Sequence, residues 1–114
     1  MRAKGNSISI MAFGLALFGA MFVPSVRAYP QDTGAALYKA KCAACHGVDG
    51  KGETSMGKAN KLRDLGSADV QKQTDDELAA IITNGKGKMP AYGKSLKPEQ
   101  VQDLVSYIRT LAKK

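Results

Sequence analysis

What this chain lacks narrows its chemistry before any motif is considered. It has no tryptophan, a single histidine and only two cysteines in 114 residues. Two cysteines cannot build the multi-bridge framework that staples many small exported domains together. With one histidine and scattered carboxylates beside them, they also make a poor four-ligand zinc site. After residue 29 there is no repeat, low-complexity tract or long linker, and no stretch alternates convincingly with the period of a half-buried strand. The lysines are interspersed with acids and lack a stacking aromatic cluster, so no nucleic-acid partner is expected.

A long apolar run does occur, at the very start. Arg2 and Lys4 precede it, residues 8–23 form it, and Pro24, Ser25, Val26, Arg27 and Ala28 follow. This order reads as a secretory signal peptide: the cations stay on the cytoplasmic side, and Val26 and Ala28 suit a cut before Tyr29. The alternative is an uncleaved anchor, although the run falls short of the roughly 18–20 apolar residues that span a bilayer. The expected organisation is a signal peptide over residues 1–28 and one domain over 29–114. A periplasmic location follows, with membrane anchoring or a thylakoid lumen as the alternatives.

Removing Arg2, Lys4 and Arg27 from the 17 cations leaves 14 against 10 acids, a net charge of +4. That modest excess favours encounters with acidic protein surfaces. At 86 residues the remaining domain is small enough for a core of side chains alone to be marginal. A covalently held apolar cofactor would supplement that core.

Beyond residue 29 the pattern is helical and predicts an all-α domain. A first helix starts with Asp32 or Thr33 as N-cap and runs to about Ala44, delivering its end into Cys42-Ala43-Ala44-Cys45-His46. Gly47, Gly50, Gly52 and Gly57 then mark an irregular segment, with a short helical turn near Ser67 to Gln71. Thr74-Asp75-Asp76-Glu77 is a capping box opening a helix that carries Leu78, Ile81 and Ile82 and ends at Asn84 and Gly85. A glycine-rich loop follows. The last helix opens at Pro98 and lines up Val101, Leu104, Val105, Ile108 and Leu111 on one face.

Cys-x-x-Cys-His after a secretory signal has a specific chemical reading. The thiols of Cys42 and Cys45 add across two haem vinyl groups to form thioethers, and the next residue, His46, supplies imidazole to the iron. A redox-active dithiol, a structural disulfide and half of a zinc site are the competing readings. They fit less well, because the zinc ligands are too few and a thioredoxin-like dithiol belongs to an α/β fold. One covalently attached haem c with its iron is therefore the expected cofactor.

His46 is the only histidine, so a second histidine ligand within one subunit is impossible. Beyond the signal only Met56 and Met89 remain as thioether candidates. Met89 lies in Gly85-Lys86-Gly87-Lys88-Met89-Pro90, where glycines allow tight wrapping and Pro90 stiffens the chain, and it is the expected second iron ligand. Met56 follows His46 too closely and is read as a packing or partly exposed side chain. Core packing is the ordinary role of methionine, and the competing reading of Met89 as well.

With these residues the chain resembles the class I cytochrome c family, especially its c6-like, small bacterial mono-haem members. Residues 45–52 read Cys-His-Gly-Val-Asp-Gly-Lys-Gly, and the likeness extends over the whole domain. The resemblance implies a cytochrome c fold in which N- and C-terminal helices cross around the haem, with Gly34 and Tyr38 meeting Leu104 and Tyr107. It also implies one-electron carriage between redox proteins. One departure stands out: residues 47–89 contain no proline, whereas the family often uses a proline-containing segment to accept the histidine's second N–H. Arg63 is a candidate partner for a haem propionate, or a solvated surface cation.

The expected protein is thus an electron carrier and not an enzyme, a monomer without a small-molecule substrate. Lys39, Lys41, Lys86, Lys88 and Lys94 adjoin the proposed site and suit redox donors and acceptors with acidic docking surfaces, or form an ordinary solvated face. A haem peroxidase or gas-binding protein, and an electron-transfer subunit of a larger dehydrogenase, are the alternatives.

Overall fold

Six helices follow one another in the computed structural model, which describes residues 14–22 and 32–113. They are α1 (Asp32–Lys41), α2 (Ala43–His46), α3 (Ser55–Ala59), α4 (Ala68–Gln71), α5 (Asp75–Asn84) and α6 (Pro98–Thr110). The expected cut before Tyr29 lies outside the described residues. Among them there is no strand, and an isolated bridge between Lys86 and Met89 closes a turn. No helix among them is long and apolar enough to cross a membrane.

The first helix does not run unbroken to Ala44. It stops at Lys41, and Cys42, at φ −115° and ψ −36°, separates it from α2. Backbone pairing nevertheless passes through the interruption. The Cys42 N–H donates to the Tyr38 carbonyl at 2.8 Å, and the His46 N–H donates to the Cys42 carbonyl at 2.9 Å. Helix α3 lies inside the segment expected to be irregular, and Thr54 caps it by accepting the Gly57 N–H at 2.8 Å.

The capping box of α5 forms in both directions. The Glu77 N–H donates to the Thr74 hydroxyl at 3.1 Å, and the Thr74 N–H donates to the Glu77 carboxylate at 2.7 Å. At the other end Gly85 takes φ +74° and ψ 168°. That backbone region is essentially restricted to glycine, and an added Cβ would meet the Met89 carbonyl oxygen at 2.6 Å.

Helix α6 buries Val101, Leu104, Val105 and Ile108, and this face joins Tyr38, Val70, Leu78, Ile82 and Leu96 in the core. Full burial of such a side chain contributes about 1.5–3 kcal/mol. The most extensive packing is between α1 and α6. They cross at Gly34, where an added Cβ would run into the Asp103 backbone carbonyl and press on Tyr107 Cβ at 3.2 Å. Beside the crossing, the rings of Tyr38 and Tyr107 sit 4.9 Å apart, tilted by 45°.

Arg109 fastens the middle of the chain to α6. Its guanidinium donates to the Gln71 carbonyl at 2.8 Å, the Gln73 carbonyl at 2.6 Å and the Asp75 carboxylate at 2.9 Å. The Gln71 carboxamide donates in turn to the carbonyls of Leu65 (2.8 Å) and Ile108 (3.0 Å). Partly buried backbone acceptors are thereby satisfied where no regular ladder exists.

Candidate functional site

Two adjoining cavities lie between the end of α1 and the loop after α5, one of about 170 Å³ that extends against α5 and one of about 270 Å³ that extends against α3. Cys42, His46, Leu62 and Met89 line both. The first is backed by core side chains, including Leu78, Ile82, Leu104 and Ile108, and has Arg63, Gln73 and Lys86 on its wall. The second is lined by Cys45 together with Lys41, Met56, Ala59, Lys88, Pro90 and Tyr92. The four residues singled out from the sequence therefore come together. Lys39 and Lys94 line neither cavity, and Met56 is 54% exposed.

Three hydroxyls from separate parts of the chain hold the backbone around the Cys-x-x-Cys-His segment. Tyr38 donates to the Gly47 carbonyl at 2.7 Å, Thr54 to the Cys45 carbonyl at 2.6 Å, and Tyr92 to the Lys41 carbonyl at 3.1 Å. Burial pushes the Tyr38 hydroxyl well above the ordinary tyrosine range, which keeps it a donor. The sequence marks none of the three for this role; it marks Tyr38 only as a packing aromatic at the helix crossing. A threonine three residues before Gly57 carries a weak capping signal, but nothing local marks Tyr92 for a carbonyl 51 positions away.

Met89 is positioned by a different device. The Lys86 N–H donates to the Met89 carbonyl at 3.1 Å and the Met89 N–H to the Lys86 carbonyl at 3.0 Å. The chain beyond it folds back onto α5, with the Tyr92 and Gly93 amides bonded to the Ile82 and Thr83 carbonyls at 3.0 Å each.

The His46 imidazole is half-buried, and its Nδ1 is enclosed with no hydrogen-bond partner among the described residues. Burial shifts the imidazole pKa downward, favouring the neutral form that binds metals. Burial likewise pushes the Cys42 thiol up, opposed by the Lys41 charge. Cys42 and Cys45 form no disulfide with each other. No group of three or more His, Cys, Asp or Glu side chains among the described residues could hold a metal on its own.

These features fit a haem. The walls are apolar, and the donors that meet there are two thiols, an imidazole and a thioether. Residues 47–89 contain no proline, and His46 Nδ1 has no acceptor among the described residues. A fold and site of this kind define a haem protein of the c type.

Comparison with known proteins leads to the same class. Residues 30–108 match the family model described as cytochrome c oxidase, cbb3-type, subunit III. Cytochrome c6 of Gloeothece citriformis is 36% identical over 110 residues, covering 94% of each chain. The solved structure of the KustC0563 c-type cytochrome is similar with a TM-score of 0.66 and 34% identity, over 70% of this chain and 98% of that one. Cytochrome c6C from Synechococcus sp. PCC 7002 gives 0.57 and 29%, over 71% and 95%. The chain belongs to the c-type cytochrome family and is similar to the cytochromes c6. Its fold is the all-α cytochrome c fold with crossed terminal helices, its cofactor is one covalently attached haem c, and membership makes it a mono-haem electron-transfer protein.

Proposed function

We propose that this protein is an exported one-electron carrier between redox proteins, with its haem attached through Cys42 and Cys45 and its iron held by His46 and Met89. The observation that supports this most directly is the convergence of those four side chains on two adjoining, mainly apolar cavities. When bound, haem supplies a reversible one-electron couple, and methionine as the second ligand favours a high reduction potential.

The chain's own residues account for the rest. Cys42 and Cys45 would prevent loss of the cofactor outside the cytoplasm, and His46, whose pKa burial shifts downward, would offer its imidazole to the metal from the same segment. Tyr38, Thr54 and Tyr92 hold that segment still, so that its donors keep their places in both oxidation states. Leu78, Ile82 and Leu104 exclude water from behind. With His46 and Met89 on the metal, no coordination position is open to a substrate, which favours a carrier over a peroxidase or gas-binding protein.

Lys41 and Lys88 line the second cavity, and Lys39, Lys86 and Lys94 are exposed nearby in sequence. Such a surface speeds encounters with acidic partners, so the association rate should fall steeply with added salt. Residues 8–23 and the Val26-Arg27-Ala28 ending support export to the periplasm.

The optical spectrum of the purified oxidised protein tests the ligand assignment. A methionine-to-ferric-iron charge-transfer band is expected in the native protein and should vanish in Met89→Ala. A high-spin native spectrum would refute it. The family model's description favours one second reading, an electron-transfer subunit of a membrane oxidase. Stoichiometric co-purification with membrane partners in detergent would favour that reading over a diffusing carrier.

A further inference from the structure

We propose that the Tyr92 hydroxyl is a latch that holds the Met89 side of the cleft against the end of α1, which makes Tyr92 a positioning residue for the second iron ligand. The inference rests on the His46 and Met89 ligation proposed above and adds what keeps Met89 in place.

The acceptor exists because α1 is interrupted. In a continuous helix the Lys41 carbonyl would receive the N–H of Cys45, four residues on. Here that N–H donates to the Cys42 carbonyl at 3.2 Å, and the His46 N–H donates to the same oxygen at 2.9 Å. The Lys41 carbonyl is thereby left as a helix-end acceptor, and the Tyr92 hydroxyl reaches it at 3.1 Å from 51 positions away. The break that shapes the attachment segment also creates the catch.

The latch has a firm base. The Tyr92 N–H donates to the Ile82 carbonyl at 3.0 Å, and the Tyr92 carbonyl receives the Ser95 and Leu96 amides at 3.0 and 2.9 Å. Its backbone is therefore docked on α5 while its hydroxyl reaches α1. The residue lines the second cavity along with Cys42, Cys45, His46 and Met89.

Met89 has little else to hold it across the cleft. Its paired backbone bonds go to Lys86, within its own turn, and the tip of that turn is exposed. A Cβ added at Gly87 would meet nothing within 4 Å. On the other side only Pro90 and Ala91 separate Met89 from Tyr92, and the fixed φ of Pro90 stiffens that link. Among the described residues, the Tyr92 to Lys41 bond is the one side-chain hydrogen bond joining residues 85–97 to residues 41–46. Releasing it frees the turn to swing without unwinding a helix.

The test uses ferric holoprotein from a maturation-competent host, as wild type, Tyr92→Phe and Ser95→Ala. Added imidazole competes with Met89 for the iron, so its apparent affinity rises with the fraction of molecules in which Met89 is detached. Phenylalanine keeps the ring and deletes only the donor. Tyr92→Phe should bind imidazole about two- to tenfold more tightly, the range covered by the net worth of one hydrogen bond. Its urea midpoint by far-ultraviolet circular dichroism should stay close to that of wild type. Ser95→Ala deletes a hydroxyl whose bond, to the Tyr92 carbonyl at 3.3 Å, stays within the loop, and should match wild type in both measurements. An unchanged imidazole affinity in Tyr92→Phe, or an equal gain in Ser95→Ala, would overturn this inference alone, provided that the wild type shows its methionine band. A wild type without that band would overturn it together with the proposed ligation.

Discussion

His46 belongs to a segment held from three directions, by hydroxyls of Tyr38, Thr54 and Tyr92 on the carbonyls of residues 47, 45 and 41. Met89 hangs from a four-residue turn closed by two backbone hydrogen bonds, with exposed Lys86, Gly87 and Lys88 at its tip. The attachment side is over-determined by tertiary contacts near a helix crossing, and the methionine side is determined locally. One cleft thus joins a rigid wall to a compliant one, and ligand loss should begin at Met89 while His46 stays in place.

Breaking the rigid wall should have the largest effect. Gly34→Val forces a branched side chain into the Asp103 backbone where α1 and α6 cross. It should cost roughly 3 kcal/mol, on the order of 10 °C or more in the thermal midpoint followed by circular dichroism. A midpoint near that of wild type would show that the crossing can yield.

Gly85→Ala strikes the compliant wall, since alanine is strained at φ +74° and its Cβ would meet the Met89 carbonyl. The cost should be about 2 kcal/mol and local. The methionine charge-transfer band should disappear at a denaturant concentration where far-ultraviolet circular dichroism is still native. If both signals fall together, the two walls are not separate cooperative units.

Tyr38→Phe tests one of the three hydroxyl contacts alone. It leaves the Gly47 carbonyl without its partner inside an otherwise unchanged core, a loss of roughly 1 kcal/mol measured by chemical denaturation. The methionine band should survive as far as global unfolding in this variant, the reverse of the Gly85→Ala pattern.

The smallest effect lies away from both walls. Lys113 and the Gly66 amide hold the Asp64 carboxyl below its usual range. A carboxyl whose pKa is depressed by folding stabilises the native state above its unfolded pKa, and this contribution is lost as the pH falls through the depressed value. Asp64→Asn should therefore lower the neutral midpoint slightly, leave the midpoint at strongly acid pH nearly unchanged, and so flatten the acid limb of stability against pH. Thermal melts at a series of acid pH values would read this directly.

The parts legible in the sequence were those with local causes. Thr74, Glu77 and Pro98 mark helix starts through backbone amides within three residues, and the α6 face follows from the spacing of Val101, Leu104, Val105 and Ile108. Cys42, Cys45, His46 and Met89 were candidates because thiol, imidazole and thioether chemistry leaves few other roles for them. Helix α3 was hidden among Gly47, Gly50, Gly52 and Gly57, where composition argues for loop and only the Thr54 cap argues otherwise. The interruption of α1 at Cys42, the Tyr92 contact with Lys41, and the Arg109 clamp depend on distant segments meeting. No local pattern encodes them.

The most direct measurement is tandem mass spectrometry of the peptide spanning Cys42 to His46, from protein made in a maturation-competent host. The account predicts one haem per chain, bonded through both cysteine sulfurs. Free thiols or a Cys42–Cys45 disulfide in the mature protein would contradict it.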